Sequence, residues 1–300
     1  MSEISAGISR PRIKFEIPDW DGIADAGYSC ADMHIHTNCS DSYSDIKRLL
    51  NTARSRNVGM AVTDHNLIGS LEKIDIGKED IIIIPGMEVS ASDGPHILTY
   101  FYDMNDLKEF WRKNIRPRLQ SCPWLALKDC TTENLLDLLE DQNCVVSGAH
   151  PMGYLGSNKG VEICNRKGYI PDDVVSRLDA YEVICGGMTR QDNVEAVRSF
   201  RRHGVGITGG SDGHIVEDLG SVVTVSKADD VDGFLDSIVK GENLVRGSEK
   251  DFPRRALTGL TSFYNFLDYT PSVIKVQSCQ MAMSIRRGTK RKISKKENNS

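Results

Sequence analysis

No apolar run in this 300-residue chain approaches the ~20 residues that a helix needs to cross a bilayer, which excludes a membrane-spanning helix and a membrane partner. No C-x-x-C pair occurs among the eight cysteines at 30, 39, 122, 130, 144, 164, 185 and 279. Their irregular spacing argues against a disulfide framework and fits reduced thiols, so a cytoplasmic location is expected. Residues 1–21 have no apolar stretch after their charges, so no secretory signal is expected there. Residues 1–28 read as a leader that orders only where it docks. No internal repeat is visible. Cysteine-rich cages are therefore out, and any metal chemistry must come from other donors.

Histidine supplies them. Six of the seven histidines sit in short clusters with carboxylates: Asp32-Met-His34-Ile-His36, Thr63-Asp64-His65, Glu88 with His96, His150, and Asp212-Gly-His214. Only His203 lies outside them, and it reads as non-catalytic. Cys39, inside the first cluster, reads as a small filler beside the site. Charge is uneven as well. Residues 285–300 hold seven Lys/Arg against one Glu, whereas the whole chain is net −5, so the body is acidic, as a gathering of metal-binding carboxylates requires. The basic tail lacks apolar periodicity and is expected to be disordered, with RNA contact as its candidate role.

Strand-like and helix-like segments alternate. Strands are expected over 29–34, 58–63, 81–84 (ended by Pro85-Gly86), 96–102, 144–147, 180–184, 205–208 and 221–225. Helices are expected over 44–56, 105–119, 132–142, 172–177, 189–203 and 231–240, with Thr131-Thr132-Glu133 as a plausible N-cap. Repeated β-then-α order implies a parallel sheet, open or closed into a barrel. His34, His36, His65, Glu88, His150, Asp212 and His214 all fall at or just past strand C-terminal ends. Recruiting nearly every strand end favours a barrel over an open sheet, whose ligand sits in one crevice. Strand alternation puts His34 and His36 on one face, where both can bind the same ion.

The motifs D-M-H-I-H-T-N-C-S-D, V-T-D-H-N, G-M-E, S-G-A-H-P and G-G-S-D-G-H, in that order from Asp32 to His214, resemble those of the PHP (polymerase and histidinol phosphatase) family. The resemblance implies a distorted (β/α)7 barrel over residues 29–284, with a C-terminal extension, and a trinuclear centre. It places His34, His36, Glu88 and Asp212 at a first ion, Glu88, His96 and His150 at a second, and Asp41, His65 and His214 at a third. Asp32 and Asp64 then read as groups that orient imidazoles. Asp64 and His65 are the candidates for acid–base work, the leaving-group proton coming from Asp64 or from metal-bound water. Mixed imidazole and carboxylate ligation suits three divalent ions of Mn, Zn or Fe.

Adjacent cations activate water and neutralise phosphate oxygens, so hydrolysis of a small phosphomonoester or nucleotide is the expected reaction. The alternatives are an amidohydrolase-type C–N hydrolase, since such barrels also begin with H-x-H, an RNA 5′-end exonuclease of the same family, and a non-catalytic scaffold. Gly209-Gly210 offers either close backbone approach to the site or a turn. Residues 108–118, basic and aromatic, are the expected lid and specificity element, and residues 152–168 with Lys159, Arg166 and Lys167 are a second candidate.

Overall fold

Short β-branched runs become strands here wherever both faces can be buried, and the amphipathic stretches between them become the outer layer. The computed structural model describes residues 11–154 and 157–297. In chain order the elements are β1 (Ile13–Phe15), α1 (Trp20–Asp25), β2 (Ser29–Ile35), α2 (Ile46–Arg56), β3 (Gly59–Val62), β4 (Ile83–Ser90), β5 (His96–Phe101), α3 (Met104–Phe110), α4 (Thr132–Leu139) and β6 (Cys144–Gly148). There follow α5 (Val161–Lys167), β7 (Ala180–Cys185), α6 (Arg190–His203), β8 (Gly206–Gly210), β9 (Val222–Ser226), α7 (Val231–Val239), β10 (Leu244–Gly247), α8 (Phe252–Phe266) and α9 (Thr270–Glu297). None of the described helices is long and apolar enough to cross a membrane.

Helix α2 shows the local logic. Asp45 caps its N-terminus by accepting from Lys47 N, and Asn57 ends it in the left-handed conformation (φ 52°). Ile46, Leu49, Leu50 and Ala53 recur at helical spacing and are buried against the sheet. Each large apolar side chain among them contributes roughly 1.5–3 kcal/mol. Helix α4 begins as its sequence predicts, with a capping box between Thr131 and Asn134.

The ten strands form one sheet in the order β1-β10-β9-β2-β3-β4-β5-β6-β7-β8. Pairing is parallel across β2-β3-β4 and across β6-β7-β8, while β5 runs antiparallel to both β4 and β6. The sheet curls until β8 meets β2 and β9, giving the distorted barrel expected from the sequence. Closure uses little backbone pairing: His36 N donates to Gly213 O at 2.9 Å, and Gly209 N donates to the Thr224 side-chain Oγ1 at 2.9 Å. The glycine pair makes this possible. A Cβ on Gly210 would lie 2.3 Å from His34 Cβ, and one on Gly209 2.4 Å from Val245 Cγ1. Neither role expected for the pair is the one seen, because its task is to let β8 pack on β2.

Several boundaries differ from expectation. Pro85-Gly86 does not end a strand. Instead β4 changes neighbours there, Pro85 pairing with Val62 of β3 and Gly86 with Tyr100 of β5. The expected helix over 105–119 is α3 followed by a π turn (Trp111–Ile115) and a tight turn at Arg116–Arg118, which contains Pro117. The leader docks through β1 on β10, with residues 1–10 outside the described part. The tail expected to be disordered continues α9 as far as Glu297, and residues 298–300 lie outside the described part. Arg287 ties it down, donating to Asp93 Oδ2 and Tyr169 O at 2.8 Å each.

Candidate metal centre

All nine residues implicated by the motifs meet at one end of the barrel. His34 and His36 come from the end of β2, His65 follows β3, Glu88 lies on β4, His150 follows β6, and Asp212 and His214 follow β8. His96 opens β5 rather than ending it. Because β5 is antiparallel, its first residue pairs with Ser90 at the end of β4 and so reaches the same rim. Asp41 enters from the loop after β2, where its carboxylate faces His214 Nε2 at 3.2 Å.

Glu88 is the hub. Its Oε2 lies 3.3 Å from His34 Nε2, 3.3 Å from His36 Nε2 and 3.0 Å from His65 Nδ1. Its Oε1 lies 2.9 Å from His96 Nδ1 and 3.0 Å from His150 Nε2. Asp212 Oδ1 lies 3.2 Å from His36 Nε2. Three sets of donor atoms converge closely enough to hold an ion each: His34, His36 and Glu88; His36, Asp41 and His214; His65, Glu88 and His96. The motif-derived grouping put His65 with Asp41 and His214. The convergent set has His36 there, and His65 Nε2 still lies 3.8 Å from Asp41 Oδ2.

Burial pushes Glu88 upward, but the imidazoles of His65, His34 and His96 outweigh it and hold the carboxylate well below its usual range. The same contest, won by His34, His36 and His214, depresses Asp212. Burial together with the nearby Lys159 charge drives His96 well below the ordinary histidine value, which leaves its ring neutral. Among the described residues, buried His36 Nδ1, His96 Nε2 and His150 Nδ1 have no hydrogen-bond partner. Orphaned imidazole nitrogens around depressed carboxylates are the donor set that divalent transition metals take, so the residues fit such ions.

The backbone is strained to achieve this. His150 (φ 26°), Asp212 (φ 48°) and Asn66 (φ 53°) adopt left-handed conformations at a cost of ~1–3 kcal/mol each. Two residues that the motifs did not indicate support the strained pair. Glu182, buried on β7, sits 3.0 Å from His34 Nδ1 and accepts the His150 backbone N–H at 2.6 Å. Buried Lys250 donates to Asp212 O at 2.8 Å and pairs with Asp218 at 2.8 Å. Tyr154 also donates its hydroxyl to Asp212 Oδ2.

Two expected orienting groups have other tasks. Asp32 accepts backbone N–H groups of His34, Ser211 and Gly220 and touches no imidazole. Burial pushes it up to about 6 despite those bonds. Asp64 accepts from Thr37 N, Thr37 Oγ1, Ser40 Oγ and Ser70 Oγ, so it holds the loop after β2. It does not line the cavity over the metal centre, and a proton-donating role for it loses its geometric basis. His203 sits elsewhere, beside Glu162, and Cys39 stays outside the donor sets.

Over this imidazole–carboxylate cluster lies a cavity of about 640 Å³. Lys159, from the 152–168 segment, Lys250 and Arg255, from α8, are the basic residues in its lining, while Arg166 pairs away from it with Glu162 and Glu195. Nothing from residues 108–118 lines it. Lys108, Trp111, Arg112 and Arg116 face a separate groove, so that segment is not the lid. The roof is made instead by α8 and α9, with Phe252, Val273 and Val276 turned toward the cavity.

Residues 190–243 match the family model described as PHP-associated. No curated protein matches the chain. Among solved structures, PsfC from Pseudomonas syringae aligns with a TM-score of 0.54 at 17% identity, covering 79% of this chain and 97% of its own. A two-domain protein from Bacteroides vulgatus containing a predicted PHP-like metal-dependent phosphoesterase aligns with a TM-score of 0.52 at 16% identity, covering 80% and 70%. A lesion-specific endonuclease from Pyrococcus furiosus aligns with a TM-score of 0.54 at 14% identity, covering 73% of this chain but 57% of that one. At these identities the likeness is one of fold.

Proposed function

We propose that this chain, a member of the PHP family by its ordered motifs, its PHP-associated segment and its barrel, is a metal-dependent phosphoesterase acting on a small phosphomonoester or nucleotide. The observation that carries the reading is Glu88, whose two oxygens face five imidazoles within 3.3 Å on the floor of a cavity that Lys159 and Arg255 also line. Divalent ions bound there would supply an activated water and neutralise phosphoryl oxygens. His34, His36, Asp41, His65, Glu88, His96, His150, Asp212 and His214 would hold them.

The chain's own groups complete the site. Among the described residues Lys159 has no ion pair, and although burial pushes it below the ordinary lysine value, its amine is the wall group suited to a phosphate oxygen. Arg255 offers a second, planar donor from the roof. Lys250 is already neutralised by Asp218 and serves to position Asp212. Trp124 and the α9 residues Val273 and Val276 line the far end of the cavity. A volume of about 640 Å³ is that of a small-ligand site.

The test is phosphate release from a panel of phosphoesters, with Mn, Zn and Fe supplied in turn and a chelated control. Cyclic amides belong in the same panel. Turnover confined to the amides would replace the phosphoesterase reading with the amidohydrolase one.

A further inference from the structure

The cavity has two unlike ends. Its floor is the imidazole–carboxylate cluster with Lys159 above it. Its outer wall and roof carry a set of apolar side chains, Trp124 and Leu125 on one side and Phe252, Val273 and Val276 on the other, with Arg255, Thr258, Gln277 and Gln280 beside them in the roof. The wall is rigidly tied to the metal centre. Asn66, next to His65, donates from Nδ2 to Pro123 O at 2.9 Å and Leu125 O at 2.8 Å, while its Oδ1 accepts Ser90 N at 2.9 Å. Trp124 is fixed further by Nε1 donating to Cys39 O at 3.3 Å and by the Tyr269 ring at 5.7 Å. Val276 packs with Leu125, Ala126 and Cys122, so the roof seats directly on that wall. Trp124, Leu125 and Val276 present a pre-formed apolar surface to the site, with Phe252 at its open edge, and such a surface stays wetted at a cost until a ligand covers it.

We propose that the substrate is a phosphoester of an apolar, aromatic-sized group: the phosphoryl end meets the floor, and the organic end lies between Trp124 and the Phe252–Val273–Val276 roof. This rests on the phosphoester reading of the floor. It makes the α8–α9 segment and the 121–127 loop the specificity elements, the role that sequence order had suggested for residues 108–118. An aryl group laid against an indole and covered by aliphatic side chains gains apolar burial that a methyl or glycerol ester cannot.

The experiment uses non-hydrolysable ligands on the full chain loaded with Mn. Calorimetric titration compares 1-naphthylphosphonate with methylphosphonate. Affinity for the naphthyl ligand is expected to be about tenfold or more higher. Trp124→Ala and, independently, Phe252→Ser on the exposed first turn of α8 are each expected to shrink that ratio; the second site is three-quarters exposed, so its loss does not threaten folding. Equal affinities in the wild type, a ratio unchanged in both variants, or no binding of either ligand would overturn the inference. The reaction assignment is judged separately. Absence of phosphate release from every ester, with the naphthyl preference intact, would sink the phosphoesterase reading and leave the apolar subsite standing.

Discussion

Glu182 lies 3.0 Å from His34 Nδ1, with the imidazole's other nitrogen turned to Glu88 and Asp212. Its second oxygen takes the His150 backbone N–H, so one buried carboxylate sets the ring of one ligand and the strained backbone of another. Glu182→Gln is expected to lower metal affinity roughly 10–100-fold while the barrel stays folded. Competitive chelator titration measures this, and unchanged affinity would show that His34 needs no such partner.

Asp64 is expected to matter for the loop and not for proton transfer. Its two oxygens accept four hydrogen bonds from residues 37, 40 and 70. Asp64→Asn turns one acceptor into a donor facing donors, and a loss of ~1–3 kcal/mol is expected from thermal unfolding. The pH–rate profile of the folded variant should keep both limbs. Disappearance of the basic limb would restore Asp64 as the acid.

Charge reversal at Arg112 and Arg116 is expected to leave KM for small phosphoesters within about twofold, because both line a groove separate from the metal cavity. Lys159→Ala or Arg255→Glu should raise KM instead. The opposite pattern would put the specificity element back in residues 108–118.

Glu162, buried under α6, faces Arg166 at 2.6 Å, Arg202 at 3.2 Å and His203 at 3.1 Å. Burial pushes its carboxyl up, but these partners win and hold it below its ordinary 4.5. A depressed carboxylate adds stability above pH 4.5 that is lost as pH falls through its lower folded value. Urea midpoints of wild type minus Glu162→Gln should therefore converge as pH drops below that point. A difference that stays constant down to strong acid would argue that the cluster does not hold the carboxylate charged.

Seven of the nine candidate donors were legible because each is a histidine or carboxylate placed where a strand ends, and closing a barrel brings such positions together, whereas Asp41, in a loop, and His96, which opens β5, came only with the resemblance to the family's motifs. Glu182 was not, because it lies inside the run Ala180–Cys185 with no histidine beside it. The signal available was a carboxylate in a strand otherwise apolar, on the face that alternation turns inward. The error over residues 108–118 has a topological cause. His96 opens an antiparallel strand, so the chain leaves β5 at the far end and residues 104–118 return outside the cavity. Strand direction relative to neighbours is not written in local periodicity. The roof was missed because α9 is mostly polar, and its few inward apolar residues, among them Val273 and Val276, give no stripe readable without the loop they pack on.

The central claim is that the imidazole–carboxylate cluster is a multinuclear metal centre. The direct measurement is elemental analysis of the full chain after exchange into chelator-free buffer, for wild type and for His36→Ala, with folding followed by circular dichroism. His36 belongs to two of the three convergent donor sets. The account predicts more than one divalent transition-metal ion per wild-type chain and the loss of at least one ion in a folded His36→Ala. A folded wild type that retains no metal when Mn, Zn and Fe are each supplied would contradict it.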